Sequence, residues 1–229
     1  DYIKASGDLA VKLYKEDIEA ALRTKDFGGF ELLSLSDYTG QSTATVGILD
    51  VFYESKGLIS HDEFKNFAGE AVPLFKAKRI FKNTDTLEAE LDLYDFGEKK
   101  INNPVYNLTV QNGKQVFYKT STTESKVSIP LNSITKSTML SVILEVNGYK
   151  NTWRIFVFAE NKIENNVRMI KSEEELYDII KNGGKAIVTK ECFKNPIHGS
   201  FIPVFWSPVH FPSQKPCGAI IDNKHRIFD

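Results

Sequence analysis

Two segments gather side chains suited to chemistry. The first is Ser36-Asp37-Tyr38, with Gln41 three residues on. Asp37 can accept hydrogen bonds from ligand hydroxyls or orient a neighbouring catalytic group, and Tyr38 offers a ring face for stacking. The same aspartate is equally suited to capping the turn that follows it. The second segment runs from His198 through Trp206 to His210 and Pro212, dense in aromatic residues and proline. Such a loop is stiff, and it either stacks on a sugar ring or packs over a neighbouring domain. His198 and His210 stand twelve positions apart with no third ligand beside them, which is not a metal signature.

The acids elsewhere make no catalytic pair. A nucleophile and an acid/base that share one reacting centre need two carboxyl groups about 5–5.5 Å apart. Glu31 and Asp37 share an expected strand, where six steps of ~3.3 Å put them about 20 Å apart. Glu54, Asp62 and Glu63 fall in loop or exposed-helix contexts, and Glu173-Glu174-Glu175 suits the positive end of a helix. No Gly-x-Ser-x-Gly elbow is present, and Asn182-Gly183-Gly184-Lys185 follows its helix, which excludes a phosphate-binding loop. Cys192 and Cys217 read as buried thiols. No catalytic residue, metal ligand or cofactor is assigned.

Elements must place these side chains. Leu9, Leu13, Ile18, Ala21 and Leu22 recur at helical spacing, and Gly28-Gly29 ends the helix. Phe30 to Asp37 is apolar on both parities, the pattern of a parallel strand buried on both faces. Ser60 and Glu63 form a capping box that opens a helix over 61–68. From about 71 to 160 the period becomes two, with runs near 73–81, 86–94, 104–110, 115–120, 126–131, 138–146 and 150–158. Seven strands at this spacing fit an immunoglobulin-like sandwich, with type I′ turns at Asn112-Gly113 and Asn147-Gly148. After a polar run at 160–166, Val167 to Ile170, a helix capped by Ser172 and Glu175, and Lys185 to Thr189 make a β-α-β unit. Gly218 to Ile221 adds a further strand. The fold class is thus multidomain α+β: a helix-strand-helix piece at 1–68, a sandwich at 71–160 and a partial α/β domain at 166–229.

The 229 residues carry 29 Lys and Arg against 30 Asp and Glu, so no excess of positive charge gathers against a phosphate backbone. Nucleic acid is not an expected partner. With 41% hydrophobic and 12% aromatic residues the chain can fill its cores, yet no apolar run approaches the ~18 residues of a membrane helix. The opening Asp1-Tyr2-Ile3-Lys4 has neither an initiator Met nor a leader, and an excised or processed piece is the expectation.

Tyr14 to Thr24, then Phe27-Gly28-Gly29-Phe30-Glu31-Leu32-Leu33-Ser34-Leu35-Ser36-Asp37, Gly40-Gln41-Ser42-Thr43-Ala44 and Gly47 to Gly57, resembles the end of a known catalytic barrel. The family is the bacterial glycoside hydrolases of family 2, the β-galactosidase-like group. The resemblance implies that 1–68 closes a (β/α)8 barrel and that immunoglobulin-like sandwiches follow it. It also implies hydrolysis of a β-linked glycan with retention, through two glutamates on the fourth and seventh barrel strands. Neither position falls in these residues, so the segment alone is expected to be inactive. Ser36, Asp37, Tyr38 and Gln41 would border the sugar site, and His198, Trp206 and His210 would offer a second glycan contact. The expected partners are an oligosaccharide or glycan substrate, the missing barrel portion of the same chain and, for the isolated segment, further copies of itself. Leu32-Leu33-Ser34-Leu35 stands where better-known members carry aromatic residues, so galactoside specificity is not implied. Export to a periplasm or to the exterior is suggested by the resemblance alone. The alternative reading is a non-catalytic carbohydrate-binding or structural sandwich module.

Overall fold

A computed structural model of the chain describes residues 2–38, 46–160 and 167–195. The chain divides into two units, Asp1–Asn161 and Lys162–Asp229. In the first, helices α1 (Tyr2–Arg23) and α2 (His61–Ala68) precede eight strands. These are β1 (Ala71–Lys76), β2 (Ile80–Lys82), β3 (Thr86–Asp95), β4 (Tyr106–Asn112), β5 (Gln115–Thr122), β6 (Lys126–Pro130), β7 (Thr138–Val146) and β8 (Tyr149–Phe158). In the second, β9 (Arg168–Ile170), α3 (Glu173–Lys181) and β10 (Ala186–Val188) form a parallel β-α-β unit, followed by a short 3-10 turn at Lys190–Cys192. The molecule is mixed α+β and mostly β.

The period-two runs become two sheets, ordered β1-β3-β6 and β2-β8-β7-β4-β5. Their inward positions share one core: Phe75, Leu87, Leu91 and Ile129 from the first sheet meet Leu108, Leu140, Val142, Leu144, Trp153 and Ile155 from the second. Alternation carries this, because every second side chain of a strand faces the same way. β1 is buried on both faces. Its outer face carries Val72 and Leu74, which pack with Ile18 and Leu22 of α1 and Phe67 of α2 in a second apolar cluster. Pro73 is tolerated because β1 is an edge strand of its sheet.

Four expectations are corrected. The run 73–81 is two strands, because the chain leaves β1 after Lys76 and β2 joins the opposite sheet, parallel to β8. Residues 30–37 form no strand; one isolated bridge joins Ser36 to Leu49, and Leu33 is 92% exposed. A strand buried on both faces belongs inside a covered sheet, and among the described residues this run is paired only through the short bridge to Leu49. The division near 68–71 does not separate units, since α1 and α2 cover the outer face of β1. In the β4–β5 hairpin, Asn112 pairs with Gln115 and Gly113 alone takes a positive φ, of 54°, so Gly113 stands first in the turn in the manner of type II′. The β7–β8 turn has Asn147 at φ 50° and Gly148 at φ 86°, the type I′ pattern.

The serine caps read from sequence stand at the starts of α2 and α3, with the reciprocal bond of a capping box made at α2 alone of the two. Ser60 Oγ accepts from Glu63 N at 3.2 Å while Ser60 N donates to Glu63 Oε2 at 3.1 Å. Ser172 Oγ accepts from Glu175 N at 3.3 Å, and Gly183, at φ 66°, ends α3. The strand expected at 218–221 lies outside the described residues.

Candidate functional site

The expected sugar-site loop is a clamp. Leu35 O accepts from Ile48 N and Leu49 N, each at 3.0 Å, and Asp37 N donates to Leu49 O at 2.9 Å. Asp37 Oδ1 accepts from Gly47 N at 2.9 Å and from Lys56 Nζ at 2.8 Å, and Lys56 Nζ also donates to Gly47 O at 2.9 Å. Glycine is required at 47, because a Cβ there would stand 2.3 Å from Ser36 C and 2.4 Å from Asp37 N. The Asp37 side chain is only 10% exposed, so its carboxylate ties residues 36–37 to 47–56 instead of standing open to a ligand. Ser36 contributes its backbone bridge. Tyr38 is exposed, and its ring is the part of this trio open to stacking. Gln41, His198, Trp206 and His210 lie outside the described residues.

Beyond the clamp, Asp50 Oδ1 accepts from Phe52 N at 2.8 Å and Glu54 N at 2.9 Å, forming a tight turn with Tyr53 at φ 65°. The turn presents Phe52 and Tyr53 at 78% and 72% exposure. Together with Leu33, Leu35 and Tyr38 they give these loops several outward apolar side chains. Sequence reading singled out Tyr38 but not Phe52 or Tyr53.

Among the described residues of the first unit the most enclosed charge is Glu19, wholly buried. Its Oε1 accepts from Lys15 Nζ and, at 2.8 Å, from Asn151 Nδ2; its Oε2 accepts from Trp153 Nε1 at 2.7 Å and Arg23 Nη1 at 3.1 Å. Asn151 donates further to Pro73 O at 3.0 Å and accepts from Lys15 Nζ at 2.6 Å. Lys15 Nζ lies 4.9 Å from the Trp153 ring centroid, within cation-π range. Burial holds the Lys15 ammonium below its ordinary range, with the charge of Glu19 pulling the other way. A carboxylate so surrounded by donors neither attacks nor shuttles protons, and it fastens α1 to β8 and β1. The signal was present: positions 15, 18, 19 and 22 share one helix face, which puts Glu19 inside the apolar stripe of Ile18 and Leu22.

Glu70 and Asp95 bring their carboxylates to one place, since a Cβ on Gly97 would stand 2.9 Å from Glu70 Oε1 and 3.0 Å from Asp95 Oδ1. They are not an acid/base pair. Asp95 accepts from Gly97 N and Ile101 N at 2.8 Å each, and these bonds hold its carboxyl below its usual range. It is a turn-capping anion. Among the described residues no group of three or more His, Cys, Asp or Glu could hold a metal ion, and no helix is long and apolar enough to cross a membrane.

Two family models match parts of the chain: a domain of unknown function, DUF8488, over residues 85–159, and a second, DUF8487, over residues 168–229. The first falls on β3 to β8. No curated protein matches the sequence. Among solved structures, the chain is similar to the three N-terminal domains of the highly immunogenic outer capsid protein (Hoc) of bacteriophage RB49, at 10% identity and a TM-score of 0.29. That match covers 45% of this chain and 36% of the capsid protein chain. It is also similar to the sulfur carrier protein SoxY from Chlorobium limicola f thiosulfatophilum, at 12% identity and a TM-score of 0.23, covering 39% of this chain and 79% of SoxY.

Proposed function

We propose that this chain is part of a retaining β-glycoside hydrolase, in which residues 1–68 close a catalytic barrel, β1–β8 form an immunoglobulin-like sandwich beside it, and residues 166–229 belong to a further α/β domain. The two catalytic glutamates then belong to other residues of the same protein. The observation that carries the reading is the clamp. Asp37, Gly47 and Lys56 fasten together two of the runs on which the family resemblance rests, Phe27–Asp37 and Gly47–Gly57. The fastened loops turn Leu33, Phe52 and Tyr53 outward. Apolar surface of this kind favours being covered by ~25 cal/mol per Å2, and in the proposed protein the barrel covers it.

The substrate class is a β-linked glycan, and the part played by these residues is to wall the site, with Tyr38 as a stacking ring. The test compares this 229-residue chain with one that also carries the sequence encoded upstream of Asp1. Both are assayed on aryl β-glycosides, and the anomeric form of the first-released sugar is read by NMR. Hydrolysis with retention by the longer chain alone is the expected result. Inversion, or turnover by the 229-residue chain itself, would overturn the assignment.

A further inference from the structure

Three asparagines of this chain are followed by glycine: Asn112-Gly113, Asn147-Gly148 and Asn182-Gly183. This pair of residue types has a reaction of its own in water. The backbone nitrogen of the glycine, giving up its proton, attacks the side-chain carbonyl carbon of the asparagine. A new C–N bond closes a five-membered succinimide, and the side-chain nitrogen leaves as ammonia. Glycine favours the step because no Cβ obstructs the attacking nitrogen. Water then opens the ring at either carbonyl and yields aspartate or isoaspartate, with nothing oxidised or reduced. All three pairs are exposed, so solvent access does not separate them.

Hydrogen bonds do. Asn182 Nδ2 donates to Asp178 O at 2.9 Å, and the nucleophile of that pair, Gly183 N, donates to Ile180 O at 3.0 Å. Both reacting groups are tied to the end of α3. Asn112 Nδ2 donates to Thr138 Oγ1 at 2.7 Å, and Asn112 is itself paired with Gln115 at the end of β4. Its leaving group is anchored to the start of β7. The third pair differs from both. The β7–β8 ladder closes at Val146 and Tyr149, so Asn147 and Gly148 stand outside it as the two turn residues. Among the described residues, neither the Asn147 side chain nor Gly148 N has a hydrogen-bond partner.

We infer that Asn147, of the three, is the preferred site of spontaneous deamidation, with Gly148 N as its nucleophile. The two products differ in what the turn can hold. Aspartate tolerates the left-handed backbone that Asn147 adopts at φ 50° and keeps a two-residue loop between Val146 and Tyr149. Isoaspartate routes the main chain through the β-carbon and adds one backbone atom to that loop. Register in a hairpin is fixed by turn type and loop length, so this product leaves a lasting defect at the closed end of β7 and β8.

The experiment incubates the 229-residue chain in mildly alkaline buffer, folded and in urea, and follows each pair by peptide mapping. A gain of one mass unit reports deamidation, and enzymatic methylation of isoaspartate separates the two products. In the folded chain Asn147 is expected to react about three- to tenfold faster than Asn112, the worth of one net hydrogen bond, and to lead Asn182 by more, since two bonds must break there. In urea those bonds are gone and the three rates should converge. Equal rates in the folded chain, a faster reaction at Asn112 or Asn182, an inert Asn147, or a lead for Asn147 that persists in urea would each overturn the inference. The isoaspartate form, isolated by chromatography, should melt below the Asn147→Asp variant, and equal melting would overturn the defect assigned to the turn.

Discussion

At the scale of single residues, Glu19 shows how a helix-surface charge becomes structural. Four donors converge on its carboxylate, from Lys15, Arg23, Asn151 and Trp153. Removing one member of such a set leaves the others buried and unpaired, which costs far more than the net worth of the pair. Glu19→Ala should therefore lower stability by about 3–5 kcal/mol, read from urea unfolding. Lys15 supplies a pH signature. Burial holds its folded pKa below the ordinary 10.5. Between those two values the unfolded chain keeps a proton that the folded chain has released, so this residue makes stability rise with pH across the window. In Lys15→Met that contribution should vanish, which paired unfolding curves for the two proteins on either side of the window would detect.

At the scale of elements, the clamp and the strand switch decide what the first unit can present. Gly47 permits the close approach of two loop backbones that Asp37 and Lys56 then tie. Gly47→Ala should cost about 1–3 kcal/mol by overpacking, and it should speed hydrogen exchange at the Asp37 and Leu49 amides while β7 and β8 stay protected. The β7–β8 turn is a second test of backbone demand. Asn147 stands at φ 50°, where asparagine is tolerated and alanine is strained, so Asn147→Ala should lower the melting temperature through a loss of about 1–2 kcal/mol. The period-two runs were legible because half-buried strands write alternation into sequence. The break between β1 and β2 was not, since Ala77-Lys78-Arg79 between them carries no glycine or proline to mark it.

At the scale of the whole molecule, the outward apolar side chains of the first unit set its behaviour in solution. Leu33, Phe52 and Tyr53 are all more than half exposed. On the proposed function they meet another part of the protein, and the 229-residue chain alone should bury them against further copies of itself. Sedimentation should show association that grows with concentration, and the double variant Leu33→Asp, Phe52→Ser should sediment as a monomer. A monomeric parent chain at all concentrations would count against the barrel assignment of residues 1–68.

Local patterns determined much of this protein from sequence alone: the capped helices α2 and α3, the alternation behind β3 to β8, and the parallel pairing of β9 with β10. Each depends on neighbours a few positions away, or on a periodicity that a strand or helix imposes on its own residues. Three things required the tertiary structure. Phe30 to Asp37 has the composition of a buried strand, yet strand formation needs partner edges, which composition does not provide. Asp37 reads equally as a ligand contact and as a cap until Lys56 and Gly47, 19 and 10 positions on, are seen to occupy it. Glu19 looks like one of many helix charges until Asn151 and Trp153, more than 130 positions away, supply the donors that make its burial stable. Two of the four donors to this charge are distant in sequence, and for that reason only the folded chain reveals its burial.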